Sequence, residues 1–481
     1  MTMPRPATAP VMSRRHRLLV FGGLMLASLM SSLDATVLGT ALPAIVGDLG
    51  GLDRLAWVST AYVLASGVTL PLSGRLGDQF GRKPVLLTGL AAFLAGSAAC
   101  GAAPSADWLI AFRAAQGAGA GCLLASMFAV TGELFEPRER AKYQGYSAVV
   151  FAVSAIAGPL VGGFLTEHAS WRWAFYANLP LGLAALALVG VLLKLPRPEG
   201  RPRIDYPGIV LLGAAVTCFT LLTGWAGTRY AWTSPVIGGL AAGTAVLAVV
   251  WVLAERRAAE PVIPLRLFRD RSFSVACAVA MVGGATGFGL AMYLPMFFQR
   301  VGGAGATHAG LLLVPMMLGL LASSMGAGRY IARTGRYHRL PAASMAVSLL
   351  GVLLLATVDA GTGRLTAGCY TAVLGFGAGL SQQVVMLIAQ NAAPRRDLGA
   401  ASSGVFTARM VGTAAGTAVF GGLLASRFAD EMTWKAPAEA MAGAFHAVFL
   451  AAVPPLVAGL AAALLLRHVP LATSPRGGSG G

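Results

Sequence analysis

The chain has 481 residues, 56% hydrophobic and only 11% charged, against roughly 25% charged in an ordinary soluble domain, which argues against a soluble fold. Its 62 glycines follow no Gly-X-Y period and sit among abundant aliphatic residues, so collagen-like and disordered chains are set aside as well. A formal charge of +17 would suggest a nucleic-acid partner in a soluble protein, but the placement of that charge fits a membrane topology, and no nucleic acid is expected.

A bilayer core of about 30 Å needs about 20 apolar residues of helix. Such stretches, separated by charge or turn signals, occur about fourteen times, near 18–46, 56–76, 84–104, 108–132, 143–166, 172–193, 206–226, 235–254, 272–298, 308–328, 340–358, 365–390, 402–425 and 442–466. The expected fold class is an all-α polytopic membrane protein with 14 transmembrane helices. The first stretch follows a basic leader, is too long for a signal-peptide core and lacks an A-x-A-like cleavage site, so it is expected to be retained. With strict alternation of the spans, 27 of the 36 Lys and Arg residues fall on one side, seven on the other, and two (Arg113 and Arg409) inside spans. Because hydrophobicity and not the basic loops sets the spans, this asymmetry supports an even number of crossings with both termini cytoplasmic.

The spans divide as six, two and six. A cytoplasmic N-terminus (1–17) leads into an N-terminal six-helix bundle (18–193). Basic linkers flank an inserted two-helix hairpin (194–271), and a C-terminal six-helix bundle (272–466) ends in a cytoplasmic tail (467–481) whose SPRGGSGG end carries no fold information. The loop after the second span reads GRLGDQFGRK and the loop after the tenth reads GRYIARTGRYHR, a weaker echo that points to internal duplication. The five cysteines, Cys100, Cys122, Cys218, Cys277 and Cys369, lie in apolar stretches with no CxxC pair, so neither a disulfide framework nor a metal site is expected. GAGAG in the fourth span has no preceding strand, which makes Gly117 and Gly121 helix-packing residues and not a dinucleotide loop.

Asp34 is the sole acid well inside a span, where an ionised carboxylate costs roughly 2.5–3.5 kcal/mol or more. Counting from Leu18 at 1.5 Å per residue puts it about 24 Å in, about 6 Å short of the outer face; Arg113, entering from outside near Trp108, sits about 8 Å below that face. Opposite charges at one depth can form a pair whose strength depends on the protonation of the acid. The alternative is that Asp34 caps a helix break before Pro43 while Arg113 snorkels outward.

GRLGDQFGRK between the second and third spans resembles the signature loop of the major facilitator superfamily. LDATVLGTALP, RAAQGAGAG, AGPLVGG with WRWAFYANLPLG, YLPMFFQRVGGAGATHAG, GFGAGL and ASSGVFTARMVGTAAG are similar to the 14-helix drug/proton antiporter family, and the resemblance covers nearly the whole chain. It implies a major facilitator fold and proton-coupled export of lipophilic drugs or toxic compounds across the bacterial cytoplasmic (inner) membrane by alternating access. It implies no cofactor beyond the proton gradient as energy source, and as partners a lipophilic small molecule, protons, the lipid bilayer and, where an outer membrane exists, a periplasmic adaptor protein. Asp34 and Arg113 are carried over as proton-coupling residues. Gly74, Asp78, Gly81, Arg82, Lys83 and Glu133 would form a cytoplasmic gate, with Asp78 facing the start of the thirteenth span near Ala401 and Arg82 meeting Glu133 or Glu136. Gly158, Pro159, Gly162 and Gly163 match the antiporter hinge, although small residues in that pattern also serve packing alone.

An adaptable cavity needs apolar walls with a few polar points. Candidates are Trp57, Tyr62, Met127, Phe128, Phe151, Tyr293, Phe297, Gln299, Gln382, Gln383, Met386 and Gln390. With no acid in the tenth span, monocationic or neutral lipophiles are expected over dications. His308 and His446 are expected in loop or packing roles, and the role of Arg409 is left open. A dedicated metabolite, lipid or siderophore transporter of the same fold is the alternative function. An enzyme is not expected, for no nucleophile constellation, metal cluster or Walker loop is present.

Overall fold

The computed structural model describes residues 13–49, 55–195, 205–227, 229–258, 260–301, 311–359, 361–428 and 438–466. The first residues of the basic leader, the linker 196–204, His308 and the tail from 467 lie outside them. The described residues are helical, apart from turns and one isolated bridge between Ala226 and Tyr230. In chain order the helices are α1 (Arg14–Leu49), α2 (Leu55–Phe80), α3 (Arg82–Gly101), α4 (Ala106–Leu134), α5 (Pro137–His168), α6 (Arg172–Tyr176), α7 (Asn178–Leu192), α8 (Tyr206–Trp225), α9 (Pro235–Arg257) and α10 (Arg271–Gly283). They continue as α11 (Gly289–Ala291), α12 (Leu294–Arg300), α13 (Val314–Thr334), α14 (Leu340–Leu355), α15 (Arg364–Gln382), α16 (Val384–Ala392), α17 (Leu398–Phe428), α18 (Ala438–Ala451) and α19 (Val453–Leu464).

Every predicted span overlaps a helix. Among the described residues, ten stretches are long and apolar enough to cross a bilayer, and α14 is a shorter apolar helix. The remaining predicted spans overlap α2, α13 and α17. Four spans expected to be continuous are interrupted. The sixth breaks at Ala177 and the twelfth at Gln382–Gln383. In the ninth, a π-helical turn (Gly284–Phe288) follows α10, and α12 begins just before Pro295. The last is split at Ala452, where a proline opens α19; prolines at the first positions of a helix lack only an N–H that would go unpaired anyway, so such breaks cost little.

The chain separates into two compact units, residues 1–134 with 153–204, and residues 135–152 with 205–481. The division departs from the expected domain limits in two ways: the α8–α9 hairpin goes with the second unit, and α5 begins in the second unit and ends in the first. Within the first unit α4 packs on α2 and α3, and α1 on α7. Within the second, α13 and α14 pack on α15, α10 on α17, and α8 on α9. The hairpin leaves Val246, Val249, Val250 and Leu253 exposed, an apolar surface suited to lipid.

Each unit builds its tightest joint the same way. A Cβ on Gly117 or Gly121 of α4 would overlap the α2 backbone at Tyr62 or Ser66, and one on Gly119 would overlap α3 at Phe93. In α15, Gly375 and Gly379 stand in the same relation to Met316 and Leu320 of α13, and Gly377 to Ser348 of α14. Without hydrophobic drive between helices in lipid, such backbone-to-backbone approach supplies the attraction. The two signature loops match as well: Gly81 (φ 98°) precedes α3 and Gly335 (φ 69°) ends α13, the left-handed region that glycine tolerates. The repeated spacing is the packing expression of the duplication seen in the sequence.

Candidate functional site

α1 runs through Asp34 without a break, so the expected alternative of a helix break capped by this residue does not hold. Asp34 is 3% exposed and Arg113 1%, and Arg113 turns inward instead of snorkelling. Arg113 Nη1 donates to Asp34 Oδ2 at 2.6 Å. Gln116 Nε2 and Asn178 Nδ2 each donate to Asp34 Oδ1 at 2.8 Å. The same Nη1 also donates to Gln116 Oε1 at 2.8 Å, and Arg113 Nε to the Val58 carbonyl at 3.4 Å. The cluster is closed by Ser97, whose hydroxyl accepts from Asn178 Nδ2 at 3.0 Å and donates to the Phe175 carbonyl at 2.8 Å. The Tyr62 ring lies 4.1 Å from Arg113 Cζ, and its hydroxyl is 3.4 Å from Ser31 Oγ. One carboxylate thus ties α1 to α4 and α7. Gly96, against the backbone of Gln116, and Gly101, against the Tyr176 ring, let α3 come close enough to seal it.

The duplication stops at this point. Gly96 meets Gln116 in the first unit, whereas the corresponding Gly351 of α14 meets Leu374 in the second. The repeated scaffold carries a polar cluster in one unit and an apolar contact in the other.

The residues expected to form a gate gather where α2 ends and α3 begins, with Glu133 at the end of α4. Arg82 donates through Nη2 to Asp78 Oδ1 at 2.6 Å and through Nε to Glu133 Oε1, so of the two acids offered by the sequence it takes Glu133. Asp78 spends its charge on Arg82, four residues on. Lys83 Nζ donates to the Gly190 carbonyl at 2.7 Å, which joins α3 to α7. Gly74 and Gly81 are buried, and Gly81 makes the turn. In α5, Gly158 lies against Thr36 and Gly162 against Thr40 and Val37 of α1, with Thr36 Oγ1 donating to the Ser154 carbonyl at 3.0 Å. Gly163 has nothing within 4 Å of an added Cβ, and Pro159 is exposed.

The candidates for a cavity wall do not behave as one set. Tyr62 belongs to the Asp34 cluster. Met127 and Phe128 are buried in the first unit, and Trp57 is half-buried. In the second, Phe151 is half-buried, Gln299 exposed, Gln383 and Met386 buried, and Phe297 packs on Phe445 and Phe449 at ring distances of 5.2 and 5.3 Å. Tyr293 donates to the Thr417 carbonyl at 2.7 Å. Gln390 is 2% exposed, and its side chain is hydrogen-bonded inside the second unit. Its Oε1 accepts from Arg140 Nη1 and Gln144 Nε2, both at 3.2 Å, and its Nε2 donates to Ser402 Oγ at 2.9 Å. This joins the start of α5 to α16 and α17, because two long side chains on α5 reach a helix end that no spacing rule brings near. Gly145 and Gly328 narrow a further joint of the same segment, where α5 meets α13.

Sequence reasoning missed Gln116, Asn178, Ser97, Arg140 and Gln144. Gln116 and Asn178 gave one signal: each is an uncharged polar side chain at the depth of an unusual acid, but such residues are too common in spans to single out. Arg140 looked only like one of the basic residues holding the cytoplasmic face. His446 is a packing residue, its Nε2 2.7 Å from the Val358 carbonyl. All five cysteines are free.

Comparison with known proteins gives a consistent picture. A family model described as Major Facilitator Superfamily matches residues 24–417. An uncharacterized MFS-type transporter of Mycobacterium tuberculosis is 39% identical over 492 residues, covering 97% of this chain and 72% of the relative. The multidrug transporter protein MdtP of Bacillus subtilis is 34% identical over 87% of this chain and 77% of its own length. Multidrug resistance protein 3 of the same bacterium is 35% identical over 85% and 80%. Two solved structures share the fold at low identity: the human organic anion transporter MFSD10 (16% identical, TM-score 0.62, 93% of this chain and 100% of that one) and the proton:xylose symporter XylE (14%, 0.64, 92% and 95%).

Proposed function

The chain belongs to the major facilitator superfamily, and on that premise we propose that it exports lipophilic compounds across the bacterial cytoplasmic membrane in exchange for protons, by alternating access. The observation that carries this is the sealed cluster in which Asp34 accepts from Arg113, Gln116 and Asn178. A carboxylate that accepts from three donors holds α1, α4 and α7 together only while it is ionised. A proton on it turns one acceptor oxygen into an O–H donor and a weaker acceptor, so its hold on the three donors falls, and the buried Arg113 loses its counter-charge. Protonation and deprotonation therefore favour different arrangements of the three helices, which couples a proton to a conformation.

On this reading fourteen helices cross the membrane with both termini in the cytoplasm, the energy comes from the proton gradient with no cofactor, and the cargo is neutral or singly charged. Arg82 with Asp78 and Glu133 holds the cytoplasmic loop closed, and Gly158 and Gly162 let α5 ride on α1. Any periplasmic adaptor would be an accessory. The relatives named as multidrug transporters favour broad export, and with it a contribution to antibiotic resistance, over a carrier dedicated to one metabolite, lipid or siderophore.

The test is extrusion of N-phenyl-1-naphthylamine, a neutral fluorescent lipophile, from cells of a pump-deficient bacterial strain energised and then treated with a protonophore. Faster extrusion than in the empty strain, lost on adding the protonophore, is expected. No extrusion of this or any compound in a susceptibility panel would overturn export, and extrusion indifferent to the protonophore would overturn proton coupling.

A further inference from the structure

Two arginines, Arg113 and Arg409, lie deep inside the spans and away from their ends, and they are treated differently. Arg113 meets a carboxylate. Arg409, in α17, meets none: among the described residues its one hydrogen bond runs from Nη2 to the Gln382 carbonyl at 2.7 Å, and no ion pair includes it. Counted from Leu398, Arg409 is eleven residues into α17, about 16 Å along its axis, close to the middle of a bilayer where a charge is costly and calls for a reason.

Arg409 lies beside a break between two helices. α15 stops at Gln382 and α16 starts after Gln383, so the Gln382 carbonyl is one of those a helix end leaves without an intrahelical donor. Arg409 satisfies it, which fixes the guanidinium while using one of its five N–H donors. The side chain is half-buried, not sealed. Gln382 Oε1, on the same residue, is buried without a hydrogen-bond partner, and the Phe406 ring lies 5.6 Å from Arg409 Cζ as an apolar platform. The backbone of α17 at Arg409 lies against Gly284, the first residue of the π-helical turn, with no room for a side chain between them. A broken helix beside a π-turn is the kind of place where membrane carriers form binding sites.

We propose that Arg409 is an anion-recognition residue for the cargo: a lipophilic compound with one acidic oxygen group, a carboxylate or sulfonate, binds in the second unit with that group on the Arg409 guanidinium and its apolar part along Phe406. This rests on the export reading and narrows it, because the deep acid in the first unit is already engaged by three donors, while the deep base in the second has donors to spare. Of the monocationic or neutral lipophiles expected from the sequence, the proposal keeps the neutral ones and puts singly anionic ones in place of the monocations. Fork-shaped guanidinium donors match carboxylate geometry, and hydrogen bonds to a charged acceptor are the strong ones.

The experiment uses the full chain in lipid nanodiscs, with empty nanodiscs as the blank, and two dyes of nearly the same shape: 1-anilinonaphthalene-8-sulfonate, which is anionic, and N-phenyl-1-naphthylamine, which is neutral. Arg409→Gln is expected to weaken the sulfonate by about tenfold or more, the scale of one charge-assisted hydrogen bond, and to leave the neutral dye within about twofold; Arg409→Lys is expected to keep most of the sulfonate affinity. Equal weakening of both dyes would make Arg409 only a staple on the helix break, and weakening of neither would remove it from the site; either result overturns the proposal. A second measurement needs no variant. On the wild-type protein, 2-naphthoate is expected to displace the sulfonate dye at lower free concentration than its methyl ester, and the reverse order would overturn the proposal. Extrusion of the neutral dye from energised cells reports on the export reading separately, so each can fail without the other.

Discussion

Removing one member of the Asp34–Arg113 pair leaves a charge in a site that water does not reach, and the loss should be recoverable by removing the other. In Arg113→Gln, Asp34 keeps the amide donors of Gln116 and Asn178, both at 2.8 Å, but loses its counter-charge while remaining only 3% exposed. Breaking a pair of that kind costs about 3–5 kcal/mol. At about 2–4 °C per kcal/mol for a unit of this size, the expected fall in Tm is on the order of 10 °C. Asp34→Asn should fall by a similar amount, whereas Asp34→Asn with Arg113→Gln puts two amides in place of two charges and should recover more than half of the loss. Cys100 offers a local readout: it is fully buried and its thiol lies 3.6 Å from Gln116 Oε1. In a background with Cys100 as the sole cysteine, the temperature at which a thiol-reactive dye gains access reports opening of this cluster. Singles as stable as the parent, or a double variant no more stable than the worse single, would refute a tightly coupled buried pair.

Other outcomes follow from the same geometry. Gly162→Ala should lower both thermal stability and extrusion, since its Cβ would overlap Thr40 and the Val37 carbonyl, whereas Gly163→Ala, with open space around it, should behave as the parent in the same two assays. Gln390→Leu leaves Arg140 Nη1 and Gln144 Nε2 without their acceptor, a cost of about 1–3 kcal/mol; a cysteine placed at Ala401, fully buried in the parent, should then react faster with a membrane-impermeant maleimide added from the cytoplasmic side. Arg82→Lys replaces a rigid fork, which reaches Asp78 and Glu133 from two separate nitrogens, with one compact ammonium, so extrusion by the variant should drop several-fold, and Asp78→Asn should drop it as well; normal extrusion by either would separate this ion triad from gating.

The helices and the duplication were legible because both rest on local rules. Apolar runs set the spans, and glycines at matching intervals in α4 and α15 mark the two tight joints. The interruptions were less legible. Pro295 and Pro454 sit at breaks that the hydropathy of the ninth and last spans conceals, and the stop at Gln382 has no proline at all. In the site, Asp34 and Arg113 stood out by their cost in a bilayer, and equal depth was enough to pair them. Gln116 and Asn178 carry no such cost, so their convergence on one carboxylate oxygen is a product of how α4 and α7 pack. Gln390 is the reverse case. As an amide in an apolar span it resembled a polar point on a cavity wall, and only the approach of α5 shows that Arg140 and Gln144 consume it.

The most direct measurement is proton release by purified protein reconstituted in vesicles with a trapped pH-sensitive dye, on adding N-phenyl-1-naphthylamine to the parent and to Asp34→Asn. If Asp34 exchanges a proton for cargo, the parent releases protons on binding, and Asp34→Asn binds the same compound with no proton signal and no gradient-driven extrusion. Proton release and uncoupler-sensitive extrusion that persist in Asp34→Asn would place the coupling on another group.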